Sequence, residues 1–201
     1  MNLMARRYEL GKRAEAMEDT RRRIAEAAVE LHGTLGPART TVSAVAARAG
    51  VQRQTVYRHF PSDDELYAAC SGLFALRYPW PDTDAWAAVE DPRERLKIGL
   101  HQIYRYYGNT AHMWTRVLRD RDLVDAVEPA LAPFNECVQR AAKVLASGWG
   151  TRGSRQRVLS AAVRHAIDLA TWRSLVEDGG LSRHKAVDLM VALVERATDR
   201  R

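Results

Sequence analysis

Cysteine is scarce in this chain of 201 residues: Cys70 and Cys137 are the two thiols, with no Cys-x-x-Cys and no histidine at ligand spacing. That excludes a disulfide-built scaffold and the zinc-finger classes, and it makes two buried, reduced, structural thiols the expectation, with redox sensing the other use open to them. No run of 18 or more apolar residues occurs, so no membrane span is expected. The first ten residues, Met-Asn-Leu-Met-Ala-Arg-Arg-Tyr-Glu-Leu, lack an apolar stretch followed by a small-residue cleavage site. A signal peptide is therefore not expected, and the cytoplasm is. A glycine-rich phosphate loop, a nucleophile elbow and a metal motif are all missing, which removes the usual sequence routes to catalysis. The nearest approach to an acid–base pair is His165 with Asp168, three apart on one expected helix face. Neither an enzyme nor a cofactor is expected.

What is present is charge, unevenly placed. The net charge is +6, and residues 1–60 hold eleven Lys and Arg against six Asp and Glu, so +5 of it lies in the first third. A basic head on a nearly neutral body is the electrostatic footprint of a nucleic-acid-binding module. A uniformly solvated charged surface would not be so asymmetric.

The stretch from Thr40 to Phe60 gives that head a form. Val42, Val45, Ala46 and Ala49 recur at helical spacing, Gly50 stops the helix, and a second short helix from Gln52 has Val56 and Phe60 as inward anchors. Ala46 is small enough for a steep helix crossing, and Gly50 tolerates a positive φ in the turn. The spacing predicts a helix-turn-helix. Its outer face would present Gln52, Arg53, Gln54, Thr55, Tyr57, Arg58 and His59, donors and acceptors with no acid among them, which suits the major groove of DNA.

The chain from Thr20 to Leu66, about a quarter of the whole, resembles the N-terminal DNA-binding domain of the TetR family of transcriptional repressors. The residues carrying the resemblance are Arg23-Ile24, Ala27-Ala28, Leu31, Gly36, Thr41-Val42, Val45-Ala46, Ala49-Gly50-Val51, Thr55-Val56-Tyr57, His59-Phe60, Ser62 and Leu66. Three positions depart from the family pattern: His32 where Phe is usual, Gln54 where a small residue is usual, and Asp63 where a Lys near the fourth helix's start would meet a phosphate. The run Ser62-Asp63-Asp64-Glu65 still makes a capping box.

Residues 1–18 are read as a flexible basic arm carrying Arg6, Arg7, Lys12 and Arg13, with a first helix starting near Asp19 or Thr20. Arg21-Arg22-Arg23 would then oppose the helix dipole unless phosphates lie nearby. Arg39, Thr40 and Thr41 precede the second helix, where a hydroxyl or the helix-start amides can bind a phosphate. Residues 19–66 form the DNA-binding domain in this division, and residues 67–201 the remainder. Tyr78-Pro79-Trp80-Pro81-Asp82 breaks the chain, and Asp91-Pro92 restarts a helix expected to end at Gly108 before a short helix capped by Asn109. A further helix is expected over 122–148.

Helices expected over 154–178 and 182–200 are apolar on more than one side. Two stripes need two partners, one of them the same pair in a second chain, unless a single larger core takes both. The resemblance agrees, implying an all-α fold of about nine helices, a homodimer through the last two of them, and a cavity for a small effector. On the helices that would surround such a cavity lie Tyr104, Tyr107, Met113, Trp114, Phe134 and Trp172, with His101, His165 and Asp168 as polar points. The implied function is a repressor that binds a double-stranded palindromic operator and is released by a largely hydrophobic or aromatic effector. The alternative is an architectural or effector-independent DNA-binding protein.

Overall fold

The computed structural model describes residues 3–198, with the side chains of 3–7, 9 and 10 outside the described set. It is helical throughout, with no strand among the described residues. The chain divides into two compact units, Met1–Arg77 with His112–Leu131, and Tyr78–Ala111 with Ala132–Arg201.

The first unit begins with α1, Leu3–Thr34, one helix of 32 residues. The stretch expected to be a flexible arm is thus helical over its described part, and Arg21, Arg22 and Arg23 stand in mid-helix rather than at a helix start. Of the four basic residues assigned to that arm, Arg6 and Arg7 have side chains outside the described residues, and Lys12 lies over the ring of Tyr8. A 3₁₀ turn, Pro37–Arg39, leads to α2, Val42–Ala49, α3, Arg53–His59, and α4, Asp63–Arg77. Thr41 caps α2, its hydroxyl accepting from the Ala44 amide at 3.1 Å, and Gly50 ends it at φ 67°. Ser62 caps α4 through the Glu65 amide. Ile24, Ala28, Val45, Val56, Phe60 and Leu66 close the core between these helices, and burying each of the larger apolar side chains is worth roughly 1.5–3 kcal/mol. His32 is buried there as well, at 5% exposure, so the position where the family carries Phe is not solvated.

The second unit opens with α5, Thr83–Ala87, a short helix capped by Asp82 that periodicity does not reveal. Next comes α6, Pro92–Asp120, whose last residues, from His112 on, belong to the first unit. No break occurs at Gly108–Asn109. Tyr106, Tyr107, Thr110 and Ala111 are all buried around that point, and the Thr110 hydroxyl donates to the Tyr106 carbonyl, so packing overrides the roughly 1 kcal/mol helix penalty of glycine. Helix α7, Val127–Leu145, tolerates Pro133 on an exposed face.

The helix expected over 154–178 is three segments: α8, Gly153–Ala166, α9, Leu169–Trp172, and a π-helical turn, Arg173–Asp178. The break has a local cause. Asp168 is extended, and its carboxylate accepts from the Ala170 amide at 2.7 Å, which starts a new helix. The carbonyls of Ala166 and Ile167 are taken instead by the hydroxyls of Tyr104 and Tyr107, at 2.9 and 2.8 Å. The last helix, α10, is Arg183–Arg196, shorter than the expected 182–200; Arg200 lies outside the described residues.

Candidate nucleic-acid interface and ligand-binding residues

The steep turn between α2 and α3 is built from backbone bonds. The amides of Gly50 and Val51 both turn back to α2, Val51 donating to the Ala46 carbonyl at 3.0 Å. Two arginines of α1 complete the work: Arg23 donates to the carbonyl of Ala49 at the end of α2, and Arg21 donates to the carbonyl of His59 at the end of α3 while lying over the Phe60 ring. Cations at two helix C-termini satisfy orphan carbonyls and match the dipole. Arg22 pairs with Asp19 and Glu26. The run that looked like a phosphate-facing cluster is thus occupied within the unit. Arg23→Ala is expected to cost about 1 kcal/mol of stability, a charge-assisted bond discounted for exposure, and to leave the salt dependence of DNA binding unchanged. Thermal melting and binding at two salt concentrations check both halves.

On α3 the side chains of Gln52, Arg53, Gln54, Tyr57 and Arg58 are exposed, and Thr55 is half-buried. The Arg53 guanidinium donates to the Tyr57 hydroxyl at 3.0 Å, one helical turn away. His59 is placed otherwise than on the expected outer face: it is 9% exposed, and burial foremost, then Arg58 and Arg21, hold its pKa below the usual histidine range. Arg39 and Thr41 are exposed, whereas the Thr40 hydroxyl donates to the Gly36 carbonyl at 2.8 Å. Arg39, Arg53 and Arg58 form no ion pair with other described residues, while Arg48 is paired with Glu30.

The turn carrying Arg39 is held from behind by a pair that sequence reasoning missed. Asp120, 2% exposed, accepts from the Ala38 amide at 3.1 Å and from Arg119 at 2.6 and 2.9 Å. The bond from Arg119 foremost keeps the Asp120 carboxyl below the ordinary carboxylate range. Gly36, at φ 94°, has no room for a side chain, since a Cβ there would lie 2.4 Å from both Arg119 and Asp120. Asp63 is exposed in the first turn of α4.

The residues expected to bind a ligand fall in two groups. Met113 and Trp114 belong to the first unit, Trp114 edge-on to Phe74 at 5.7 Å. Tyr104, Tyr107, Phe134 and Trp172 belong to the second, where Tyr107 meets Trp172 at 6.1 Å. His101 is half-buried with its ring 4.9 Å from His184, and burial foremost lowers its pKa. His165 is exposed, with Nδ1 3.3 Å from the Thr171 hydroxyl. Asp168 is spent on the α9 cap, so the two do not share one helix face. Trp80, outside the expected set, touches Tyr106, Phe134 and Tyr107, with ring centroids 5.0, 5.2 and 6.3 Å away. Among the described residues no three His, Cys, Asp or Glu are placed to hold a metal ion, and no helix is long and apolar enough to cross a membrane.

Residues 24–70 match the family model described as bacterial regulatory proteins, tetR family. The fold as a whole is that of TetR-like regulators of known structure. A TetR-like transcriptional regulator from Rhodococcus sp. RHA1 superposes with a TM-score of 0.59 at 23% identity, over 88% of this chain and 94% of that one. A TetR family regulator from Thermus thermophilus gives 0.61 at 20% identity, over 88% and 99%. A TetR transcription regulator from Haloarcula marismortui gives 0.56 at 14%, over 90% and 97%. No curated protein sequence matches the chain.

Proposed function

Residues 24–70 carry the N-terminal domain of the tetR family, and on that premise we propose that the chain is a sequence-specific DNA-binding transcriptional regulator. The observation that carries the proposal is the exposed, acid-free face of α3, with Arg53 and Arg58 on it and a backbone-locked turn behind it. Helix α3 enters the major groove, where Arg53 exchanges its bond to Tyr57 for a guanine edge and Gln52 or Gln54 meets an adenine. Arg39, Thr40, Thr41, Thr55, Tyr57 and Arg58 hold phosphates and set the register. His59 serves the packing of α3 in this scheme.

The test is a pair of variants on a selected site. Arg53→Ala is expected to lose about 1–3 kcal/mol, roughly ten- to hundredfold, on the preferred sequence and to relax base preference at one position. Arg58→Ala is expected to weaken all sequences alike and to reduce the salt slope by about one. An Arg53→Ala protein that keeps both affinity and base preference contradicts the base-reading role.

The operator is palindromic in this proposal because the chain works as a homodimer. Leu189 and Leu193 on α10, 47% and 40% exposed one turn apart, and Val158 on α8 form the outward stripe that a second copy would cover. A monomer in sedimentation at micromolar concentration contradicts it. The second unit takes a small hydrophobic or aromatic effector whose binding releases the repressor from DNA, and the cytoplasm is its place of action. If no small molecule raises the melting temperature, the effector-independent, architectural reading is favoured.

A further inference from the structure

Among the described residues, one buried side-chain nitrogen or oxygen has no hydrogen-bond partner, the indole Nε1 of Trp80. Such a group is rare in a folded chain because an unmade bond to a shielded donor is costly. Trp80 stands on the loop 78–82 between Pro79 and Pro81, which restrict its backbone to extended conformations. Its ring is perpendicular to that of Phe134, at 87°, and nearly so to that of Tyr106, at 72°; these two rings are themselves almost parallel, 6.5 Å apart. The Tyr107 hydroxyl, also beside Trp80, already donates to the Ile167 carbonyl.

Indole N–H is a donor only, so whatever completes it must bring an acceptor. The walls are aromatic edges and faces, which favour a flat, polarisable body. Burial also pushes the Tyr107 hydroxyl pKa well up, so the surroundings disfavour charge. Trp80 as a whole is half-buried, and displacement of its own loop is enough to admit a ligand.

We propose that the Trp80 indole N–H is the hydrogen-bond donor of the effector site, and that the effector is an uncharged aromatic compound bearing a carbonyl oxygen. The proposal rests on the reading that the second unit binds a small effector. It adds the donor, the loop that carries it and the ligand's chemical class.

The test is a proton–nitrogen NMR titration of the full chain, whose five tryptophans give five indole signals. The Trp80 signal is identified by its loss in Trp80→Phe, with melting temperature confirming that the variant folds, or by through-bond assignment of the native protein. Acetophenone is the probe, ethylbenzene its counterpart without the acceptor, and benzoate its charged counterpart. Acetophenone should move the Trp80 signal downfield and saturably, ethylbenzene should bind about tenfold more weakly, the value of one hydrogen bond, and benzoate should not compete. Trp80→Phe should bind acetophenone and ethylbenzene alike. A Trp80 signal unmoved by acetophenone, a preference that survives in Trp80→Phe, or tighter binding of benzoate overturns the proposal. DNA affinity followed in the same titration separates it from the effector reading. A moved signal with unchanged DNA affinity keeps the donor and removes effector control; release of DNA with an unmoved signal keeps effector control and removes the donor.

Discussion

Replacing Arg95 by leucine is expected to lower the stability of the second unit by about 3 kcal/mol or more, the cost of stranding buried acceptors. Arg95 sits in the first turn of α6 with 6% exposure. Its Nε and one terminal nitrogen donate to the Val89 carbonyl at 2.9 and 2.6 Å, and that nitrogen also reaches the Glu90 carbonyl at 3.1 Å. The other nitrogen donates to the Ser147 carbonyl and hydroxyl at 3.0 and 2.7 Å, and to the Val144 carbonyl at 3.4 Å. One guanidinium therefore ties the loop before α6 to the last turn of α7, where a cation also suits the helix dipole. Leucine fills much of the volume but satisfies none of the carbonyls. Melting should fall by roughly 6–12 °C, at about 2–4 °C per kcal/mol for a chain of this size. Arg95→Lys should recover only part of this, because an ammonium cannot span the planar fork. A leucine variant that melts with the native protein would mean that water replaces the guanidinium at little cost.

The second large effect depends on pH. The His32 imidazole stacks on Tyr67 at 4.8 Å and has Nδ1 3.6 Å from the Cys70 sulfur, which itself donates to the Tyr67 carbonyl. Burial holds the His32 pKa down to about 4, against a smaller opposing pull from Asp120, and it pushes the Cys70 thiol up to about 12. The folded state keeps His32 neutral, whereas the unfolded chain takes up a proton near pH 6.5. Stability from this source is therefore full above about pH 6.5 and falls as pH drops toward about 4, below which both states are protonated. At 1.36 kcal/mol per pKa unit the loss is on the order of 3 kcal/mol. His32→Phe should flatten denaturant-derived stability between those limits and leave the steeper acid loss from carboxylates such as Asp120 below them. An unchanged slope in the phenylalanine variant contradicts a neutral, buried His32.

How much was legible in the sequence follows from where each signal resides. The helix-turn-helix could be read because its determinants are local: Ala46, Gly50, Val56 and Phe60 lie within fifteen residues and do there what their side chains suggest. Arg21, Arg23 and Arg95 could not, because their partners are backbone carbonyls that leave no residue-type signature. Arginine on a basic head looks like a phosphate contact until the carbonyl it caps is in view. The same blindness joined α8 to α9, since the acceptors exposed by the break are met by tyrosines some sixty residues away. It also split α6 at Gly108, where local propensity argues for an end and burial on several sides argues against one. Trp80 was visible as an aromatic, but an unpaired N–H is a property of three-dimensional surroundings alone.

The central claim is that this chain reads DNA sequence as a two-fold dimer, and selection of bound duplexes from a random pool, at roughly 50 and 200 mM salt, tests it most directly. An enriched palindrome is expected, with half-sites about one helical turn apart or a multiple of it. With Arg39 and Arg58 on phosphates in each head, affinity should fall on the order of a hundredfold between the two salts. Binding at low salt with no enriched sequence, or no binding at all, would contradict the account.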